Sequence, residues 1–314
     1  MKKYLIEIVF YFLLPAALIV VVAEYSLRKI PNDYAFKNQW LTQNSHTVEI
    51  LALGSSSVMH DVNPRYFHKK GFNAAHLSQS MKYDHMIFNK FIDKMPLLEY
   101  VIMGVDYWSP FGSLEDSPEW WRVKYYNIHY GSKYYRWEGK YNYELYFHNI
   151  GTFKRAANGF LTLLGLKKES HRTVDDAGYG VNYTLERRPE GWDNGKEEAL
   201  RHNEMVSRAI DADYMALNKK YMEEVILKSA ERGVKVILVN MPLYKSYVNN
   251  QNRVFLNQQK DFCHRFAEKY GNVSYYDFSE DQRFSEDDFY DANHLNNVGA
   301  KKLSLILDSI IVGR

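Results

Sequence analysis

Three consecutive serines, Ser55-Ser56-Ser57, follow Gly54 at the end of an apolar run, and Asp291-Ala292-Asn293-His294 lies near the other end of the chain. A serine hydroxyl is a weak nucleophile until a base takes its proton. An imidazole base in turn needs an acceptor that sets its tautomer and stabilises its charged form. Serine, histidine and aspartate supply those three roles. Each block also has a plainer reading, since serines populate turns and an aspartate three residues ahead of a histidine can cap the helix that follows. His60, His76 and His85 could lie near the serine loop, but none has a partner in the sequence, and a lone histidine is more often structural or exposed. There is no Cys/His metal spacing, no glycine-rich phosphate loop and no HExxH, so neither a metal nor a cofactor is expected.

The elements around these blocks decide whether they can meet. Residues 48–53 (VEILAL), 100–105 (YVIMGV), 234–240 (VKVILVN) and 273–278 (VSYYDF) are short apolar runs with turn signals at their ends, the pattern of buried strands. Between them Tyr214, Leu217, Tyr221 and Val225 recur at helical spacing, with Gly233 placed as a C-terminal glycine, and further helical stretches hold Phe255, Phe262 and Phe266, then Leu303, Leu307 and Ile310. Strands alternating with amphipathic helices predict an α/β fold, a three-layer α/β/α sandwich around a mainly parallel sheet. In such a sheet the ligand crevice lies beyond the carboxyl ends of the strands, where the serine loop falls.

Gly54-Ser55-Ser56 after the first strand and Asp291-x-x-His294 before the last helix resemble the first and last blocks of the SGNH, or GDSL-like, serine hydrolase superfamily, whose fold is a flavodoxin-like α/β/α sandwich. The resemblance implies Ser56 as nucleophile, His294 as base and Asp291 as its orienting acid, with the backbone amides of Ser56 and Ser78 as oxyanion donors. The family's second block, Asn-x-x-x-x-Gly, matches Asn73 but has Ser78 at the glycine, which keeps a backbone donor. Its third block, Gly-x-Asn-Asp, provides an Asn side chain as donor; Gly104-Val105-Asp106-Tyr107 departs from it, and an ionised carboxylate donates nothing. The resemblance covers most of residues 46–106 and 234–311. The nucleophile elbow of the other large α/β hydrolase family requires glycine at position 58, where this chain has Val58.

The first residues add a membrane signal. After Lys2 and Lys3, residues 4–23 carry one charge, Glu7, and one helix breaker, Pro15, and as a helix they span about 30 Å. An uncleaved anchor over 1–30 is expected, with a leader cleaved near Val21-Val22-Ala23 as the rival reading. Lys2 and Lys3 balance Arg28 and Lys29, so charge leaves the orientation undecided.

The remainder, 31–314, is expected to be the sheet domain, with an insertion or cap at about 107–213. Residues 107–147 hold 15 aromatics in 41 positions. Such rings stack on sugars but also pack on one another. A formal charge of +2 gives no field that would gather nucleic acid, and Cys263, the one cysteine, excludes an internal disulfide.

An anchor before an SGNH-like domain resembles the bacterial proteins of lipoteichoic acid D-alanylation and alginate acetylation. That likeness implies an esterase or O-acyltransferase, held in the cytoplasmic membrane with its catalytic domain outside. Its substrate would be an acylated glycan or other cell-envelope polymer, and its candidate partner a membrane-bound acyltransferase. The degraded third block leaves a second expectation: a weak or inactive member that binds glycan or assists such an acyltransferase.

Overall fold

A computed structural model describes residues 2–146, 150–209 and 213–313. Its sheet has five parallel strands in the order β2-β1-β3-β4-β5, namely β1 (Ile50–Leu53), β2 (Gly71–Asn73), β3 (Tyr100–Gly104), β4 (Lys235–Asn240) and β5 (Val273–Asp277). All four β1 residues and all but the first residue of β3 and β4 are buried, because helices cover both faces. These four longer strands fall on the four apolar runs. The three-residue β2 has no such run. It pairs Phe72 with Leu51 at the sheet edge, and the Asn73 N–H on its open side donates to the Ala177 carbonyl at 2.9 Å.

The fold is α/β, as the alternation predicts. From β1 the chain crosses outward to β2 and then returns to β3 on the other side of β1. This reversal of direction leaves a crevice at the carboxyl ends of β1 and β3. Helix Met81–Phe91 packs with Tyr214–Ala230, and the short helix Ser56–Asp61 packs with Asn297–Val312. A two-stranded antiparallel ribbon, β6 (Phe289–Asp291) and β7 (His294–Leu295), sets Asp291 opposite His294.

Contacts divide the chain into two compact units, residues 37–120 with 173–314, which contain the sheet, and residues 1–36 with 121–172. The stretch expected as an insertion, about 107–213, is shared between them. In the second unit, helix Ile6–Lys29 is 24 residues long and apolar enough to cross a membrane. Its Leu27 forms a small core with Ala156 and with Ile30, the residue just past its end. The Glu24 carboxylate accepts the N–H groups of Glu144 and Leu145 at 3.1 and 3.0 Å, and Lys124 pairs with Glu144 at 2.6 Å with both side chains buried. The Tyr34 ring packs against Tyr125 and Tyr126. Phe147, the end of the aromatic tract, lies outside the described residues.

Candidate active site

Two glycines bring the serine loop onto the sheet. A Cβ at Gly54 would stand 2.4 Å from Val58 Cγ2, and one at Gly104 2.3 Å from the same methyl. The Val58 side chain therefore seats between the ends of β1 and β3, drawing helix Ser56–Asp61 down onto them. Gly54 also has φ +144°, a conformation that side chains other than glycine's rarely adopt. The Asn73 side chain ties the other end of that helix, donating to the carbonyls of Val58 and Val62 at 2.8 Å each.

The three serines have different fates. Ser57 Oγ donates to Asp106 Oδ1 at 2.6 Å, and Ser55 Oγ donates to the other oxygen of the same carboxylate. Ser55 also accepts the Ser57 N–H as the helix cap. Ser56 is directed elsewhere: its Oγ lies 2.8 Å from His294 Nε2. On the far side of the ring, Nδ1 lies 2.9 and 3.1 Å from the two Asp291 oxygens. A carboxylate only accepts, so Nδ1 carries the proton and Nε2 faces the serine. Asp291 is thus not the cap of the following helix; Asn296 is, accepting from Val298 and Gly299 at 2.8 and 3.1 Å.

A further carboxyl links the two halves of the site. Asp61 Oδ1 accepts the Leu295 N–H at 2.9 Å, fastening the residue after His294 to the helix that begins with Ser56. Burial pushes Asp61 well above the usual carboxylate range. Burial pushes the His294 imidazole down, but the charge and hydrogen bond of Asp291, with the charges of Asp61 and Asp106, outweigh it and hold the ring up at about 9. Burial likewise raises Asp291, and the His294 charge and the hydrogen bonds to its carboxylate bring it below its ordinary value. His60 is different. Its ring stacks on Tyr183 at 3.7 Å and meets His294 edge-on at 6.3 Å, and burial, then the His294 charge, lowers it to about 3. Its ring therefore stays neutral near pH 7. His85 is occupied by Glu224 at 2.6 Å, and the backbone N–H of buried His76 donates to the Gly54 carbonyl.

Ser56, Ser78 and His294 line one cleft together with Asp106 and Tyr107. Ser78 holds φ +56°, the left-handed region for which glycine is the easier residue. Behind it, Gln79 donates to buried Asp84 at 2.6 Å; burial lifts that carboxyl to about 8. Asp106, at the third block, accepts two serine hydroxyls and offers no donor to the cleft. Trp108, Glu119, Glu198, Arg201 and His202 also line the cleft, and the sequence reading did not single them out. Arg201 pairs with Glu198, and His202 Nδ1 meets the Tyr247 hydroxyl at 2.6 Å. Their only local signal is the amphipathic period of helix Gly195–Ala209. Asp61 carries no local sequence signal; its burial, in a helix with no exposed residue, is set by the fold. Among the described residues no cluster of three or more His, Cys, Asp or Glu could hold a metal ion.

Compared with known proteins, the chain matches no family model and no curated protein.

Proposed function

We propose that this protein is a membrane-anchored, SGNH-type serine esterase or O-acyltransferase that acts on acyl esters of a glycan or other polymer outside the bacterial cytoplasmic membrane. One observation carries the reading: the unbroken chain of hydrogen bonds from Asp291 through His294 to Ser56, across 238 residues of sequence, opening into a cleft. In the proposed reaction Ser56 Oγ bonds to the ester carbonyl carbon while its proton passes to His294 Nε2. Asp291 steadies the imidazolium. The N–H groups of Ser56 and Ser78 are the proposed donors to the carbonyl oxygen as it gains negative charge. Collapse breaks the bond to the alcohol oxygen, which takes the proton from His294 and departs, leaving the acyl group on Ser56. Water or a sugar hydroxyl then repeats the sequence in reverse, giving hydrolysis or transfer.

The test is mass-spectrometric mapping of a fluorophosphonate probe on the full-length protein. Labelling at Ser56 that is lost in His294→Ala supports the reading; a folded protein with no labelling at Ser56 refutes it. Asp106 favours a second reading. A carboxylate that accepts from Ser55 and Ser57 stands where the family has a donor, and losing such a donor costs about 10²–10³ in rate. A weakened member of this kind would bind glycan or assist a membrane-bound acyltransferase, and would bind its polymer without becoming labelled.

A further inference from the structure

Helix Ile150–Leu163 packs along the Leu14–Lys29 part of the N-terminal helix through its small residues. Thr152, Ala156 and Gly159 are its buried positions, and a Cβ at Gly159 would come within 2.8 Å of the Ser26 carbonyl oxygen. Its other face is apolar and uncovered. Ile150, Phe153, Phe160, Leu161 and Leu164 fall at spacings of three, four and seven along one stripe, with Ile150 91% and Phe153 59% exposed, and Leu166 follows at 73%. Leaving that much contiguous apolar surface in water is costly, so something covers it.

The neighbouring helix says what. This stripe belongs to the same compact unit as Ile6–Lys29, itself apolar and exposed from Phe10 to Val21. Lys154 borders the stripe and Lys167 and Lys168 follow it, the placement of amines that reach lipid headgroups while their stems lie along apolar surface. We propose that the Ile150–Leu163 helix lies in the bilayer interface beside the membrane-spanning helix, with lipid acyl chains covering the Ile150, Phe153, Phe160, Leu161 and Leu164 stripe. The inference rests on the reading of Ile6–Lys29 as a span. A lone span can turn about its axis, whereas a second helix bedded in the same leaflet fixes which side of this unit faces the lipid.

The experiment uses the full-length protein in phosphatidylcholine vesicles, with bimane attached to one introduced cysteine at a time. Cys263 is buried and does not compete for the label. The positions are Phe153→Cys, Leu161→Cys and Leu164→Cys, with Val20→Cys in the span and Glu231→Cys, exposed in the sheet unit, as references. Quenching by lipids brominated near the top of the acyl chain reads contact with the bilayer, and aqueous iodide reads contact with water. The three stripe positions are expected to be quenched by brominated lipid at least half as strongly as Val20, with Glu231 open only to iodide. Quenching at Val20 but not on the stripe overturns the proposal: iodide access then means a bare face, and protection from both quenchers means a protein occupant. No lipid quenching at Val20 refutes the span itself, and the proposal with it.

Discussion

Replacing Asp291 with asparagine tests the electrostatics of the site most directly. Burial alone drives the His294 imidazole below its ordinary 6.5; the Asp291 charge and the contacts at 2.9 and 3.1 Å reverse this and hold it at about 9. A rise of that size corresponds to about 3 kcal/mol favouring the imidazolium, at roughly 1.4 kcal/mol per pKa unit. This is the same charge stabilisation that a serine hydrolase uses as its base takes up a proton. Asp291→Asn removes the charge that opposes burial most and leaves only those of Asp61 and Asp106 against it, so the imidazole is expected to titrate well below the wild type. An amide also allows its NH2 to face Nδ1 and select the wrong tautomer, and the expected loss in kcat is about 10²–10⁴. Two assays read the two effects. Titration of the His294 ring by NMR should place the wild type well above 6.5 and the variant clearly lower than the wild type. Hydrolysis of an activated aryl acetate should rise with pH toward about 9 in the wild type, because Nε2 must be unprotonated to accept the serine proton, and this ascending limb should move to lower pH in the variant. The coupling also acts on stability. A raised histidine pKa contributes its full share below pH 6.5 and loses it as pH rises through about 9, so Asp291→Asn should destabilise the fold more at pH 6 than at pH 10. A wild-type ring titrating below 6.5, or a variant whose titration does not move, would refute the reasoning.

Three other substitutions probe the framework. Asp106→Ala unties Ser55 and Ser57 together and should cost about 1.5–3 kcal/mol for each charged hydrogen bond lost, read by urea unfolding, with slower probe labelling of Ser56; unchanged stability would show that the carboxylate does not hold the loop. Gly104→Ala drives a methyl into Val58 and should destabilise by about 1–3 kcal/mol, and Val58→Ala in the same chain should recover part of that loss if the crowding is at this contact. Lys124→Met leaves Glu144 buried without its partner and should cost about 3–5 kcal/mol, whereas Lys124→Met with Glu144→Leu should recover most of it. Equal losses in the single and double variants would mean that the ion pair is not the source.

Much of the sheet could be read from the sequence because burial on both faces imposes a local signature on β1, β3 and β4, while β5, at the sheet edge and buried only at Val273, keeps a strand-rich run without that burial. β1, β3, β4 and β5 each fall on an apolar run. β2 does not, since Gly71-Phe72-Asn73 is too short and too mixed to show one, and its pairing is supplied by the neighbouring strand and by Ala177. The pairing of Asp291 with His294 was also legible, because residues three apart stay near each other in almost any turn. The N-terminal apolar helix was legible for the same reason: its character lies in each successive residue, whatever surrounds it.

Contacts between distant segments were another matter. Ser56 meets His294 because the ribbon packs back onto helix Ser56–Asp61, fastened by the Leu295 N–H on Asp61, and which of the three serines faces the imidazole is decided by Asp106, which occupies the other two. Asp61 joins the two blocks through a buried backbone bond that leaves no periodicity, and Glu198, Arg201 and His202 reach the cleft from a stretch read as an insertion. Local sequence determines what a segment prefers to be. Which side chains share a low-dielectric cleft, and how their charges shift one another, depends on distances that only the packed chain sets.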